Sequence, residues 1–218
     1  IEAMKYNGQK EGRRHKENKH LIASILDKDQ GFREVHVEKT FREENSTGIA
    51  KLWRRPDVSA THTNTGKKIA FELQVSTTFI DVIVERERFY RDNGAFIIWI
   101  FLNFEEKRFT ELDIFYANKL NAFIFDEEAK LASQEYGELV LKCHYKDYFV
   151  QESGEVVEVQ EQDAEKLVPV SKLSFDDTSG KLFFFDSNDR KRVVESQAES
   201  RRTEIRIEKE RQAAEERA

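Results

Sequence analysis

The sequence predicts an α/β protein built on a mixed sheet, with the element order αβββαβ over its first half. Three observations predict it. A turn-rich centre, His62-Thr-Asn-Thr-Gly66, divides two alternating runs, Arg54 to Thr61 and Lys68 to Ser76, which is how a β-hairpin reads. A helical stretch then runs to Asn93-Gly94, a good stop signal. Ala95 to Leu102, AFIIWIFL, is a continuous apolar run of strand length, the pattern of a central strand covered on both faces.

The first helix is expected over Glu11 to Leu26, where His15, Lys19, Ile22 and Leu26 share one face. That stripe is apolar at its C-terminal end and polar at its N-terminal end, so the helix either leads from core to pocket or has two solvated turns. Phe32 to Phe41 alternates. Val35, Val37, Lys39 and Phe41 take one side, and Glu34, His36 and Glu38 take a wet or functional one. Asn45 to Gly48 turns the chain into the hairpin, giving a meander of three antiparallel strands. Pro56 lacks an N–H and belongs at a bulge or an unpaired edge position.

Within the hairpin, Asp57 and Glu72 lie equally far from a turn centre between Asn64 and Thr65, so they should be cross-strand neighbours. Asn64 to Gly66 is expected to supply the positive-φ positions of the turn. Glu72 and Gln74 share a face, while Phe71, Leu73 and Val75 take the other. Like charges opposite each other destabilise a sheet. An Asp and a Glu brought together beside a Gln therefore call for a cation. Mg²⁺ takes one or two carboxylates with waters and phosphate oxygens, and such a metal can activate water against a phosphodiester. The other reading of the pair is an exposed cross-strand accident.

Ser76 to Thr78 followed by Asp81 starts the second helix. Phe79, Val82, Ile83, Arg86, Phe89 and Tyr90 form its broad face. Arg86, among apolar neighbours, either holds a catalytic carboxylate, meets a phosphate, or lays its stem over the core as a surface arginine. Tyr90 is a core aromatic first and a site residue second.

These residues carry a resemblance. Pro56-Asp57, a gap, then Glu72-Leu73-Gln74 resembles the PD-(D/E)xK nuclease signature, with Gln where lysine is usual. FELQVS, Arg86, Tyr90, Gly94 and IIWIF together resemble the nuclease domain of CoiA-like competence proteins, over about residues 11–104. The resemblance implies a restriction-endonuclease-like core and a metal-dependent DNA endonuclease or nickase in a bacterial setting of DNA processing, recombination or defence. It implies Mg²⁺ or Mn²⁺ held by Asp57 and Glu72 with the Leu73 carbonyl. Glu11 joins as the first-helix acid, through the Glu11-x-x-x-His15-x-x-x-Lys19 spacing. Gln74 would orient water or bond a phosphate oxygen without supplying positive charge, which Lys19, Lys68 or Arg86 would then provide. Arg55, Lys68, Ser76, Arg86 and Tyr90 are the expected substrate contacts. The alternatives are a nuclease-fold binding module that does not cut, and a domain that binds a partner through its C-terminal helix. DNA is the expected partner, its strand state left open.

Charge agrees with this only locally. The net charge is −6, yet residues 10–68 hold 14 Lys/Arg against 9 Asp/Glu, a front half compatible with phosphate contacts or simply a solvated surface. A single cysteine, Cys143, excludes a disulfide framework and a cysteine-rich zinc site in this chain. Cys143 beside His144 reads as packing. No apolar run is long enough to span a bilayer as a helix, and the cytoplasm is the default expectation.

Residues 105–186 are expected to form an α/β extension. Helix Phe109 to Ala117 and strands Asn121 to Asp126, Glu138 to Phe149, Glu155 to Glu161 and Leu182 to Phe185 either extend the sheet or make a β appendage. Residues 187–218 form a charged helical tail. It is either solvated or a segment for a homo-oligomer or protein partner, and its apolar spacing fails a heptad.

Overall fold

The computed structural model describes residues 12–43, 52–74, 80–105, 108–159 and 165–217. Glu11, Ser76 and Phe79 fall outside these residues, as does the turn at 45–48.

Helix α1, Arg13–Lys28, precedes strand β1, Phe32–Val37. A two-stranded ribbon follows, β2 Phe41–Arg42 against β3 Trp53–Arg54. The hairpin is β4, Val58–His62, and β5, Lys68–Gln74, and helix α2, Ile80–Asp92, leads to β6, Ala95–Phe101. Beyond it come α3, Phe109–Ala117, and β7, Asn121–Ile124. Helix α4, Glu127–Tyr136, leads into β8, Val140–Tyr145. A short hairpin of β9, Tyr148–Val150, and β10, Val156–Glu158, follows. Strands β11, Glu165–Pro169, β12, Ser174–Asp176, and β13, Lys181–Phe183, precede the long α5, Ser187–Glu215.

One mixed sheet runs in the order β1-β4-β5-β6-β7-β8-β11. The β5–β6 and β6–β7 pairs are parallel, and the β1–β4, β4–β5, β7–β8 and β8–β11 pairs are antiparallel. Most of the later strands therefore extend the sheet across residue 104, and only β9–β10 stands apart, packed on α5.

The two-residue period sorts the side chains into two cores. On one face Ile69, Phe71 and Leu73 of β5 and Phe96, Ile98 and Ile100 of β6 meet Ile22 and Leu26 of α1 and Ala129 of α4. On the other, Ala70, Ile97, Trp99 and Phe101 meet Ile83, Phe89 and Tyr90 of α2 and Phe115 of α3. With β6 buried at every position, its apolar run needs no alternation. Glu72, on the even-numbered face of β5, thus points into the α2 side.

The hairpin has the expected register, Val58 opposite Phe71 and Thr61 opposite Lys68. Its turn is smaller in positive-φ content than expected. Gly66 alone adopts it there, at φ 68, and donates to the His62 carbonyl; Asn64 does not. The first hairpin strand is also not continuous. It breaks at residues 55–57 between β3 and β4, where buried Pro56 interrupts the pairing. Likewise β1 stops at Val37, after a register shift between Arg33 and His36. Glu34 and Glu38 hold φ of 54 and 52 there, a left-handed conformation that costs an ordinary residue roughly 1–2 kcal/mol.

Helix α4 and strand β11 were not anticipated from sequence. The signals for α4 are there: Asp126 accepts from the Ala129 N–H as N-cap, and Gly137 ends the helix at φ 69. Helix α5 is anchored through Val194 and Ala198, both fully buried, and through Arg202, which donates to the Gly154 carbonyl. Beyond Arg202 its residues are exposed except Ile205.

Candidate active site

The break at Pro56 builds the site. Where a continued β4 would present backbone to β5, the Asp57 carboxylate accepts from the Leu73 N–H at 2.8 Å. The Asp57 carbonyl in turn accepts from Glu38 N–H at 3.1 Å, tying the end of β1 to the same point. From α1, His15 Nε2 lies 3.3 Å from Asp57 Oδ2, an ion pair when the imidazole is protonated.

Glu72 is 2% exposed. Its Oε2 accepts from Arg86 Nη1 at 2.5 Å and its Oε1 from the Tyr90 hydroxyl at 2.9 Å. Burial pushes its pKa up to about 7. Arg86 opposes that rise, the negative charge of Asp57 adds to it, and Tyr90 and His15 draw it back down. Tyr90 is itself pushed up from the ordinary tyrosine value, by burial first and by Glu72 second. Two carboxylates, an arginine, a histidine and a tyrosine are thus electrostatically coupled at the open end of the hairpin.

A second tier lies beside it. Lys19, 2% exposed, donates to Glu38 Oε1 at 2.6 Å, and Arg55 Nη2 approaches Glu38 Oε2 at 3.9 Å. Glu38, on the face of β1 expected to be wet or functional, is thus reached by a buried lysine. Gln74 is buried. Lys68 is not part of the cluster, for it lies four residues back along β5, roughly 13 Å at the usual strand rise. Of the expected substrate contacts, Arg86 and Tyr90 therefore bind Glu72, Arg55 reaches Glu38, and Lys68 stands apart. His144 packs between the Phe104 and Phe115 rings, the packing role expected of it.

Lys68 instead lines a cleft of about 180 Å³ on the same sheet face. Its floor is Glu34 and His36 of β1, Ser59 to Thr61 of β4 and Lys68; its wall is Lys39, Thr40, Phe41 and Arg42. The wall is held over the α2 side by Phe41, whose ring sits 5.8 Å from that of Tyr90. The wet face of β1 was legible in the sequence, whereas the ribbon that turns it into a cleft was not.

Among the described residues, no group of three His, Cys, Asp or Glu side chains is placed to hold a metal ion. The protein's donor set is two carboxylates, which suits a hard divalent cation completed by water and phosphate oxygens. Burial outweighs the neighbouring Arg86 in setting the raised pKa of Glu72.

The fold and site define a mixed α/β protein with a buried glutamate, Glu72, beside a partly buried Asp57 at a sheet end. The chain belongs to the family described as Domain of unknown function (DUF6035), matched over residues 2–188. No curated protein and no solved structure matches it. Among the described residues no helix is long and apolar enough to cross a membrane.

Proposed function

We propose that this chain is a metal-dependent nuclease that hydrolyses DNA phosphodiester bonds, on a PD-(D/E)xK-like αβββαβ core, in DNA processing, recombination or defence. The observation that supports it is the placement of Asp57 just past the last hairpin pair, Val58 with Phe71, where its negative charge raises the pKa of buried Glu72. A bound Mg²⁺ or Mn²⁺ would supply Lewis-acid charge and a nucleophilic water at neutral pH. Asp57 and Glu72 would hold it.

The chain's own groups do the remaining work. His15 and the Leu73 N–H fix the orientation of the Asp57 carboxylate. Arg86 offsets the charge of Glu72 and is the guanidinium nearest to a phosphate brought there; its fork suits phosphate oxygens. Gln74 offers an amide to water or phosphate, and the charge that a lysine would add at its position falls to Arg86 and Lys19. In the hydrolysis, water oxygen bonds to phosphorus, one ester P–O bond breaks, and the departing oxygen takes up a proton.

One observation favours a second reading, a binding module that does not cut: both Glu72 oxygens already have protein donors. One experiment separates the two. Supercoiled, linear and single-stranded DNA are incubated with Mg²⁺, Mn²⁺ or EDTA and the intact protein, Asp57→Asn or Glu72→Gln. The nuclease reading expects metal-dependent cutting, reduced at least about 100-fold in both variants, with circular dichroism unchanged. Salt-dependent binding without cutting would leave the binding module. Neither binding nor cutting would remove the nucleic-acid reading altogether.

A further inference from the structure

The cleft over β1 and β4 is a second site, built separately from the acid pair. The bulge in β1 sets it up. Between Arg33 and His36 the register shifts, so Arg33 faces Thr61 while His36 faces Ser59. Residues directly opposite in an antiparallel pair share a face, and His36 and Ser59 therefore stand side by side on the cleft floor. Both are unsatisfied there. Ser59 is 4% exposed, and among the described residues no group bonds its hydroxyl. That hydroxyl is not sealed in, so the opening it has is toward the cleft it lines. The His36 imidazole likewise has no hydrogen-bond or ion-pair partner among the described residues. Buried polar groups are normally paired by protein, by water or by a bound ion.

Charge decides what fits. Lys39 and Arg42 of the wall are exposed, with no ion pair among the described residues, and Lys68 completes the lining. The one carboxylate is Glu34, whose Oε2 accepts from the Thr61 hydroxyl at 2.8 Å. That bond holds the Glu34 carboxyl below its ordinary range; burial works against it, and the charges of Arg33, Lys39 and His36 add to it. Three cations against one acid leave a surplus of two positive charges, in a chain whose net charge is −6. A phosphate monoester carries about −1.5 to −2 near neutral pH and offers three strong acceptor oxygens. A serine hydroxyl, an imidazole N–H and an arginine fork are donors suited to them.

Size limits how much of a ligand enters. A volume of about 180 Å³ is the liquid share of about six waters, whereas pockets that enclose a whole drug-sized ligand begin near about 300 Å³. The cleft takes the charged group and leaves its carrier outside. The β2–β3 ribbon that walls it is held by Phe41 on Tyr90 and by Arg54 over Phe89.

We propose that this cleft binds a phosphate monoester dianion, with Ser59 and His36 donating from the floor and Lys39, Arg42 and Lys68 around it. A free phosphorylated small molecule and the phosphorylated end of a nucleic-acid strand present the same dianion. The proposal stands independently of the nuclease reading. In the test the full chain, in EDTA so that no metal bridges phosphate to the carboxylates, is titrated calorimetrically with inorganic phosphate, adenosine 5′-monophosphate and adenosine. The two phosphates are expected to bind with a Kd of about 1 mM or tighter, and adenosine at least tenfold more weakly than its monophosphate.

Lys39→Gln with Arg42→Gln, both exposed positions, is expected to weaken phosphate binding at least tenfold with circular dichroism unchanged. Ser59→Ala should weaken it at least threefold; because it alters no charge, it separates a built pocket from a diffuse basic surface. A short oligothymidine with a 5′-phosphate, compared with its 5′-hydroxyl form, identifies the carrier. Tighter binding of the phosphorylated strand than of the mononucleotide supports a strand end, and equal binding supports a free small molecule. No saturable binding of phosphate overturns the proposal, as does adenosine binding as tightly as its monophosphate, or unchanged affinity in either cleft variant. Unchanged affinity in both, with loss in Arg86→Gln, would move the phosphate to the acid pair, removing the cleft site and leaving the nuclease reading standing. Phosphate binding that needs Ser59, Lys39 and Arg42, in a protein that never cuts DNA, would support the cleft site while the nuclease reading fails alone.

Discussion

Two buried polar side chains, Glu72 on β5 and Asn121 on β7, show how differently one sheet uses polarity. Asn121 is 1% exposed and neutral. Its amide donates to the carbonyls of Asn118, Lys119 and Phe185, and its oxygen accepts from the N–H groups of Phe184 and Phe185. These backbone partners, none of which ionises, stitch the α3–β7 turn to the segment entering α5, and the Cys143 thiol adds a weak donation to the same oxygen at 3.6 Å. Glu72 is as buried, yet its hydrogen-bonding partners are the side chains of Arg86 and Tyr90, and its own proton is in play. A buried polar group satisfied by backbone is a fastening. One satisfied by charged side chains keeps the ability to exchange partners, and that is what a site needs.

The largest expected effect tests the fastening. Asn121→Ala leaves several buried backbone groups unpaired and should cost at least about 3 kcal/mol. That lowers the melting temperature by roughly 6–12 °C for a chain of this size, read by differential scanning fluorimetry, while the proposed DNA cutting, assayed well below melting, stays unchanged. Loss of cutting with an intact fold would mean that Asn121 does more than fasten.

Glu72→Gln should do the reverse, removing the proposed cutting while sparing the fold, and pH makes the contrast sharper. The folded pKa of Glu72, about 7, lies above its ordinary value of 4.5. The native state therefore holds a proton that the unfolded chain has released between those values. The associated stability is fully present below pH 4.5 and is lost as pH rises through 7. It amounts to roughly 3 kcal/mol. In urea titrations across this window the intact protein should lose stability with rising pH, and Glu72→Gln should flatten that loss. An unchanged slope would show that some other group titrates there.

Arg86 supplies a smaller effect in a defined direction. Because its charge lowers the Glu72 pKa, Arg86→Gln should move the same stability loss to higher pH. A shift toward acid would contradict the assignment of Arg86 as the compensating charge. Lys19→Met is expected to be milder still, about 1 kcal/mol or less, because Met keeps the buried stem packed and Glu38 remains partly solvated. At the bottom of the scale, Arg201→Ala breaks an exposed pair with Glu204. It should change chemical-denaturation stability by less than about 0.5 kcal/mol.

What was legible in the sequence follows the range of the forces involved. The β4–β5 register was readable because Gly66 and the alternation of Ile69, Phe71 and Leu73 are encoded in adjacent residues, and a one-residue slip would bury Glu72 on the wrong face. The end of α2 was readable for the same reason, since Gly94 takes a positive φ of 68 that few other residues accept. The nearness of Asp57 to Glu72 came with the register. The break at 55–57 was half legible: Pro56 announced an interruption, but not that the Asp57 side chain would take over the Leu73 N–H.

The sequence by itself thus determined the alternation, the turn, the helix ends and the identity of the paired acids, all set within a few residues by sterics and side-chain period. Only the tertiary structure decided the rest. It brought Lys19 of α1 to Glu38, placed Arg86 and Tyr90 on the two oxygens of Glu72, and carried β7, β8 and β11 into the same sheet. It also laid β2–β3 beside the wet face of β1 to make a cleft. Each of these depends on which distant segments exclude water from one another. The raised pKa of Glu72 is the plainest case, because its first cause is burial, and no stretch of sequence carries its own burial.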